Sequence, residues 1–242
     1  MDIETMPPTK QQMALTRELT DRAARLVEDF GPSPGMVYMT DEDYEIAIRE
    51  MLAQAPGGDV WLFAYGSLLW KPACETVESR RAVVQGWHRS FCFRVTRFRG
   101  TPDHPGLMMA LDRGGQCHGM ILRLPADQVQ ASLDTLFRRE VIAKPTVNMP
   151  RWLTAQTSNG PVRALGFVVN RQHPNYVGKL TPEEAAAIVA TAAGHWGSCA
   201  EYLRETTAHL EDLGIRDRNL WRLQALVAER IRAPTSPPRS GS

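Results

Sequence analysis

Clustered metal ligands and paired cysteines are absent from this sequence. It contains no C-x-x-C pair and no H-x-x-x-H motif, and its six histidines are scattered. The spacing therefore gives no zinc site, and no other metal is implied. We expect the cysteines to be free thiols, as is usual in a chain that is not exported. The four cysteines are Cys74, Cys92, Cys117 and Cys199.

The sequence also lacks a strong charge bias, long apolar runs and nucleotide-binding motifs. Its net charge is +1 over 242 residues, which argues against a nucleic-acid partner. A helix that crosses a bilayer needs about 20 apolar residues in succession. No apolar run in the sequence approaches that length, so no membrane partner is expected. Neither a P-loop nor G-x-G-x-x-G is present. The first residues, MDIETMPPTKQQ, have no signal-peptide character, so we expect a cytoplasmic protein, with a monomer favoured.

Apolar periodicity and capping residues predict strands in the middle of the chain and helices around them. Strands are predicted at residues 60–65, at 81–98 as one long or two short strands, at 106–125 as a hairpin turning at 112–115, and at 150–157 and 162–169. Helices are predicted at residues 11–30, 40–54, 125–139 and 181–194, from residue 198, and after residue 217.

This order is that of an α+β protein built around a small mixed sheet or barrel, because strict β-α alternation is missing. We expect three parts in the chain. An N-terminal helical extension covers residues 1–58, the main domain covers 59–232, and a Pro/Ser-rich disordered tail covers 233–242.

The run "DVWLFAYGSLLWKP" is interrupted by Gly66 and Ser67 at the end of a predicted buried strand. A strand that ends in Gly-Ser turns sharply and presents successive N–H groups, which can bind a carboxylate. Gly66 would let a ligand approach the backbone, and Ser67 adds a hydroxyl donor. The alternative is a plain turn, which the local pattern alone favours. The surrounding letters are not G-x-S-x-G, so a nucleophilic Ser67 is poorly supported.

Glu140 lies where a predicted helix ends and a β-like run begins, in "LFRREVI". A carboxylate flanked by apolar residues is partly desolvated, which raises its pKa toward the range of a general base. The local sequence favours the plainer alternative of a solvated glutamate paired with Arg138 or Arg139.

Arginines and aromatic residues alternate between residues 87 and 99. One interpretation is a strip that binds nucleic acid. The simpler interpretation, which we favour, is a strand with one solvent-exposed face and one buried face. The arginines concerned are Arg89, Arg94, Arg97 and Arg99.

Four segments occur in the order seen in ChaC-like γ-glutamylcyclotransferases, and the sequence resembles that family over residues 60–226. The first two are "FAYGSLLWKP" and "VQGWHRSFCFRVTRFRGTPDHPGLMMALDRGGQCHG". The others are "LFRREVI" and "EYLRETTAHLEDLGIRD". The first two are the most specific, and their joint occurrence is hard to explain by chance.

The resemblance implies a small β-barrel-like α+β fold with flanking helices, and cleavage of glutathione to 5-oxoproline and Cys-Gly. It implies that Glu140 is the proton acceptor. It also implies that the γ-glutamyl group is held by a loop comprising Ala64, Tyr65, Gly66, Ser67, Leu68 and Leu69. The substrate's own α-amine is the nucleophile in this reaction, so neither a cofactor nor a metal is implied.

Three questions stay open at the level of sequence. The family usually has a Gly-Pro-Asn type stretch where this chain has residues 197–200, Gly-Ser-Cys-Ala, so other γ-glutamyl compounds are alternative substrates. ChaC-type proteins have also carried the name of cation transport regulator, which would make the chain a non-catalytic interaction protein. Tyr202 is either a core residue of an amphipathic helix or a part of the pocket.

Overall fold

The structure is a computed structural model that describes residues 12–31 and 35–233. Within these residues the chain forms six α-helices and nine strands. The helices are α1 (Arg17–Ala23), α2 (Asp41–Ala53), α3 (Val129–Glu140), α4 (Pro182–Val189), α5 (Cys199–Asp212) and α6 (Arg218–Arg232). The strands are β1 (Val37–Tyr38), β2 (Trp61–Ala64), β3 (Glu78–Val95), β4 (Gly106–Arg123), β5 (Ala143–Lys144), β6 (Asn148–Thr157), β7 (Gly160–Val169), β8 (Ala193–Gly194) and β9 (Gly197–Ser198).

Five strands form a closed barrel in the order β2-β4-β3-β6-β7. Neighbouring strands are antiparallel along this order, and the barrel closes through a parallel pairing of β2 with β7, where Trp61 lies opposite Ala164. Closure removes the exposed edges that an open sheet would have. The predicted α+β fold with a small mixed barrel is confirmed.

Strand β2 is buried on both faces, which explains its uninterrupted apolar sequence. Trp61 and Phe63 belong to one hydrophobic cluster, with the barrel interior and helices α4, α5 and α6. Leu62 and Ala64, which point the opposite way in a strand, belong to a second cluster with α2 and α3. The strand therefore ends between two packed layers, and its last residues are held rigidly.

The predicted hairpin at residues 106–125 is wrong, because β4 is one continuous strand paired along β3. Gly114 and Gly115, with φ of 110° and 62°, lie opposite Gly86, with φ of 80°, where the register shifts. This is a β-bulge, and bulges use the same left-handed glycines as turns. The true connection is the loop of residues 96–105 between β3 and β4.

Three predicted helices have different limits in the structure. The N-terminal helix ends at Ala23, because the chain beyond it leaves Leu26 and Phe30 exposed and buries no apolar face. Helix α3 begins at Val129 and not at Pro125. Helix α4 ends at Val189, and the residues up to 194 include β8. Residue 11 and residues 234–242 lie outside the described residues.

The segment before the barrel packs directly against the strand that follows α3. Strand β1 pairs with β5, and the Met39 amide donates to the Ile142 carbonyl at 3.0 Å. The predicted capping box at Thr40 is confirmed, since Thr40 and Asp43 bond each other reciprocally. No helix in the described part of the chain is long and apolar enough to cross a membrane.

Candidate functional site

A cavity of about 400 Å³ lies beyond the end of β2. Its walls come from the chain after β2, the end of β3 with its loop, the end of α3, the segment from β5 to β6, and α5. These elements are distant in sequence and meet because the barrel closes. No group of three or more His, Cys, Asp or Glu side chains in the described ranges is placed to hold a metal ion.

The end of β2 is anchored by two hydrogen bonds. The Tyr65 hydroxyl donates to the Phe167 carbonyl at 3.0 Å, and Arg89 Nε donates to the Tyr65 carbonyl at 2.7 Å. Arg89 is itself buried and paired with Asp217 at 3.1 Å. The expectation that Arg89 lies on the solvent-exposed face of the strand is therefore wrong. Its charge is used to fix the strand end.

Residues 66–69 form a tight turn that faces the cavity. Gly66 leads into one turn of 3-10 helix at Ser67–Leu69, and the Leu69 amide donates to the Gly66 carbonyl at 2.9 Å. The amides of Ser67 and Leu68 meet no acceptor within the described residues. The first N–H groups of a helical turn are unsatisfied in this way and attract anions. The turn is suited to bind a carboxylate or an oxyanion.

Two side chains limit the space beside Gly66. A methyl group added at Gly66 would lie 3.1 Å from Met109 Cε and 3.2 Å from the Tyr202 hydroxyl. Any larger residue would push into the cavity wall.

Glu140 is the last residue of α3, and its side chain is only 16% exposed. Burial raises the pKa of its carboxyl group, while the neighbouring Arg139 acts in the opposite direction. Arg139 Nε lies 3.2 Å from Glu140 Oε1. The glutamate is thus paired with Arg139, as the plainer alternative had it, but it is desolvated in the cavity, as a general base requires.

Arg139 connects the glutamate to the turn, a role that the sequence did not indicate. Its Nη2 donates to Ser67 Oγ at 2.8 Å, and its Nη1 donates to the Lys71 carbonyl. Arg138, the other candidate partner of Glu140, instead pairs with Asp134 and Asp41 outside the cavity. The pair Arg138-Arg139 in the sequence indicates a counter-ion for Glu140. It does not indicate that Arg139 also contacts the turn.

Asn148, on the cavity wall, was also missed. Its Nδ2 donates to the backbone carbonyl of Glu140 at 3.3 Å. Its Oδ1 is buried and has no hydrogen-bond partner among the residues that the structure describes. Buried acceptors are nearly always satisfied, so this oxygen is available for an N–H group of a ligand.

Tyr202 reaches the cavity from α5 and is 4% exposed. Its ring centroid lies 6.2 Å from that of Trp70 and 6.2 Å from that of Phe91. Burial raises the pKa of its hydroxyl group, and the charge of Glu140 adds to this effect. Tyr202 is therefore a neutral hydrogen-bonding group near the carboxylate, and it is both a core residue and a part of the pocket.

Residues 197–200, where the sequence departs from the family pattern, support the loop between β3 and β4. Arg99 Nη1 donates to the Ser198 carbonyl at 2.6 Å and to Glu201 Oε2 at 2.8 Å. The Cys199 thiol contacts the Arg99 carbonyl at 3.1 Å. These residues hold the wall of the cavity from behind.

Four of the six predicted loop residues line the cavity together with Glu140, namely Tyr65, Gly66, Ser67 and Leu68. Ala64 is fully buried in the cluster with α2 and α3, and Leu69 packs between the two core clusters. These two residues support the turn from below.

Comparison with known proteins points to one family. A sequence profile described as "ChaC-like protein" matches residues 60–230. The chain is 36% identical to the glutathione-specific gamma-glutamylcyclotransferase of Escherichia coli strain K12 over 193 residues, which cover 79% of this chain and 83% of that protein. It is 33% identical to glutathione-specific gamma-glutamylcyclotransferase 1 of Mus musculus, covering 62% of this chain and 71% of that protein.

A crystal structure of a γ-glutamylcyclotransferase specific to glutathione from yeast has the same fold. It superimposes with a TM-score of 0.63 at 19% identity, covering 72% of this chain and 97% of the yeast chain. With the barrel, the Tyr-Gly-Ser-Leu turn and the buried glutamate in place, the profile match over most of the sequence is decisive. This chain belongs to the ChaC-like family of γ-glutamylcyclotransferases.

Proposed function

We propose that this chain cleaves glutathione to 5-oxoproline and Cys-Gly, and that Glu140 is its proton acceptor. The observation that carries the proposal is the buried Glu140 carboxylate in a cavity shared with the turn at Ser67, to which Arg139 connects it. The relatives named for this activity support the choice of glutathione.

The proposed reaction is an intramolecular transfer. The α-amine of the γ-glutamyl group attacks its own γ-carbonyl carbon, so one C–N bond forms and closes a five-membered ring. The amide C–N bond to the cysteine residue then breaks. Because nucleophile and electrophile belong to one molecule, the entropic cost of bringing them together is already small. The protein has to fold the substrate into the cyclising shape and carry protons from the attacking nitrogen to the leaving nitrogen.

Glu140 performs that proton transfer in two steps. Its carboxylate first accepts a proton from the ammonium group, which frees the amine to attack, and then gives that proton to the leaving nitrogen. The attacking nitrogen changes from NH3+ to the N–H of the ring and the leaving nitrogen from N–H to NH3+, so a second proton passes the same way and none is gained or lost overall. The raised pKa of Glu140 suits both steps, since a base with a pKa nearer neutrality is also a better acid.

The turn holds the negative charges of the γ-glutamyl group. The free amides of Ser67 and Leu68 and the guanidinium of Arg139 are donors at one end of the cavity. A carboxylate or a developing oxyanion bound there gains charge-assisted hydrogen bonds from donors that are already held in place. Asn148 Oδ1, which is unsatisfied, is an acceptor for the substrate's ammonium or amide N–H.

The test is to incubate the purified protein with millimolar glutathione without added metal and to follow 5-oxoproline and Cys-Gly together. Glu140→Gln is compared with Glu50→Gln, which makes the same chemical change on the exposed face of α2. We expect equal release of both products, lost in Glu140→Gln and kept in Glu50→Gln.

Other outcomes separate the alternatives. Product from other γ-glutamyl compounds but not from glutathione would reassign the substrate. Release that survives in Glu140→Gln would remove Glu140 from the mechanism. A chain inactive on all γ-glutamyl compounds would favour the interaction protein, for which Glu140 is dispensable.

We also infer a cytoplasmic monomer. Three of the four cysteines, Cys92, Cys117 and Cys199, are buried free thiols, which suits a reducing compartment. Light scattering after size-exclusion chromatography would test the monomer, and a mass of two chains would contradict it.

A further inference from the structure

Four arginines line the cavity, and three of them are already neutralised by carboxylates. Arg97 donates to both carboxylate oxygens of Asp29, at 2.9 and 2.7 Å. As described above, Arg99 pairs with Glu201 and Arg139 pairs with Glu140.

Arg94 is the exception. It is exposed, and its side chain has no hydrogen bond or ion pair with any residue that the structure describes. Its backbone is nevertheless fixed, since the Arg94 amide donates to the Asn175 carbonyl at 2.8 Å and its neighbour Phe93 pairs with Tyr176. An unpaired guanidinium on an ordered segment of a cavity wall is suited to bind an anion from the ligand.

We infer that Arg94 binds the glycine carboxylate of glutathione and so selects for the complete tripeptide. This rests on the proposed function. Glutathione carries two carboxylates, and the donors at the turn and Arg139 can hold only the one near the reacting carbonyl. The second carboxylate needs a cation at the other end of the cavity.

The spacing along β3 agrees with this assignment. The Phe91 ring contacts Tyr202 near the reacting end, and Arg94 follows three residues later, about 10 Å along the strand. The Cys-Gly part of glutathione spans about 7 Å when extended. Lys71, another cation of the cavity wall, has its backbone at the turn, where its amide donates to the Ser67 carbonyl at 2.7 Å.

The test compares glutathione with its glycine ethyl ester, in which the distant carboxylate is uncharged and the scissile amide is unchanged. Release of 5-oxoproline gives kcat/KM for both compounds. We expect the unchanged chain to prefer glutathione by about 10-fold, which is the worth of one charge-assisted hydrogen-bonded pair at a wet site. Arg94→Met should abolish this preference by raising KM for glutathione while leaving the ester unaffected.

Two further variants make the result specific. Arg94→Lys, which keeps the charge, should retain part of the preference. Arg151→Met removes an exposed arginine from β6, outside the cavity lining, and should retain all of it.

The outcomes separate this inference from the proposed function. If the unchanged chain converts neither compound, the proposed function fails and this inference fails with it. If it converts glutathione but shows no preference over the ester, or if Arg94→Met leaves the preference intact, only the role of Arg94 is overturned. Equal losses on both compounds would also overturn it, since they would indicate a structural effect.

Discussion

Arg139 Nη2 donates a hydrogen bond to Ser67 Oγ at 2.8 Å and thereby joins two segments that the family resemblance treats separately. The same guanidinium lies 3.2 Å from Glu140. One side chain therefore orients the hydroxyl group of the proposed substrate-binding turn and influences the ionisation of the proposed base. Both effects can be measured separately.

Removing the guanidinium should alter the pH profile as well as the rate. In Arg139→Met the positive charge that lowers the pKa of Glu140 is gone, so burial alone acts and that pKa rises further. Because the base must be ionised, the acidic limb of kcat/KM should move to higher pH, and the maximum should fall about 100-fold. An acidic limb that stays in place would contradict this role for Arg139.

Ser67→Ala should act mainly on binding. The hydroxyl group is lost while the backbone donors of the turn remain, so we expect KM to rise about 10-fold with little change in thermal stability. In an Arg139→Met background the same substitution should cost less, since the two groups act together. If the losses of activity in the two single variants add up in the double variant, the hydrogen bond between Ser67 and Arg139 does not contribute to function.

Glu140→Gln should be more stable than the unchanged chain at neutral pH. The folded-state pKa of Glu140 is raised by burial above its unfolded value, so ionisation disfavours the folded state and stability is lost as pH rises through that pKa. The amide carries no such cost. The gain in the free energy of unfolding should be present at neutral pH and vanish as the pH falls well below about 4, where the glutamate is uncharged in both the folded and the unfolded chain.

Thermal unfolding at several pH values measures this difference, and Glu50→Gln is the control because Glu50 is exposed. A lower stability of Glu140→Gln at neutral pH would show that the ion pair with Arg139 outweighs the burial of the carboxylate.

The parts of the site that the sequence predicted are local in the chain. A buried strand broken by Gly-Ser and a glutamate at a helix end are patterns of a few neighbouring residues, and the structure brings both to the cavity. The contact of Arg139 with Ser67 spans 72 positions, and no local pattern encodes it. Asn148 was missed for a related reason, because an asparagine at the start of a strand is unremarkable until its burial is known.

The wrong hairpin has a different cause. Gly114 and Gly115 have positive φ, and turns and bulges both need such glycines. Only the partner strand decides between them, and Gly86 of β3 supplies the matching irregularity. The short N-terminal helix likewise depends on packing, since the periodic residue Leu26 finds no surface to bury against.

Gly66→Ala should reveal the crowding between the turn and α5. The new methyl group would meet the Tyr202 hydroxyl at 3.2 Å, so we expect a loss of about 1 kcal/mol in the free energy of unfolding. Tyr202→Phe removes that oxygen and should relieve part of the cost. Denaturant unfolding of the two single variants and the double variant tests this, and an undiminished cost in the double variant would place the conflict elsewhere.

Gly194→Ala should disturb the cavity wall through the loop between β3 and β4. A methyl group at Gly194 would overlap the carbonyl oxygen of Phe98, and backbone cannot move aside as a flexible side chain can. Phe98 already has φ of 70° and is held by the Trp196 amide, which donates to its carbonyl at 2.8 Å. We therefore expect a loss of about 2 kcal/mol and a higher KM for glutathione.

Gly178→Ala is the informative control for that variant. Gly178 has φ of 73° but open space around its α-carbon, so alanine there costs only the left-handed backbone penalty, about 1 kcal/mol. Gly178 is not part of the cavity lining, and KM should be unchanged. If both variants lost similar stability and neither altered KM, the loop held by Gly194 would have no part in binding. A raised KM in Gly194→Ala alone would establish that the contact between Gly194 and Phe98 shapes the cavity.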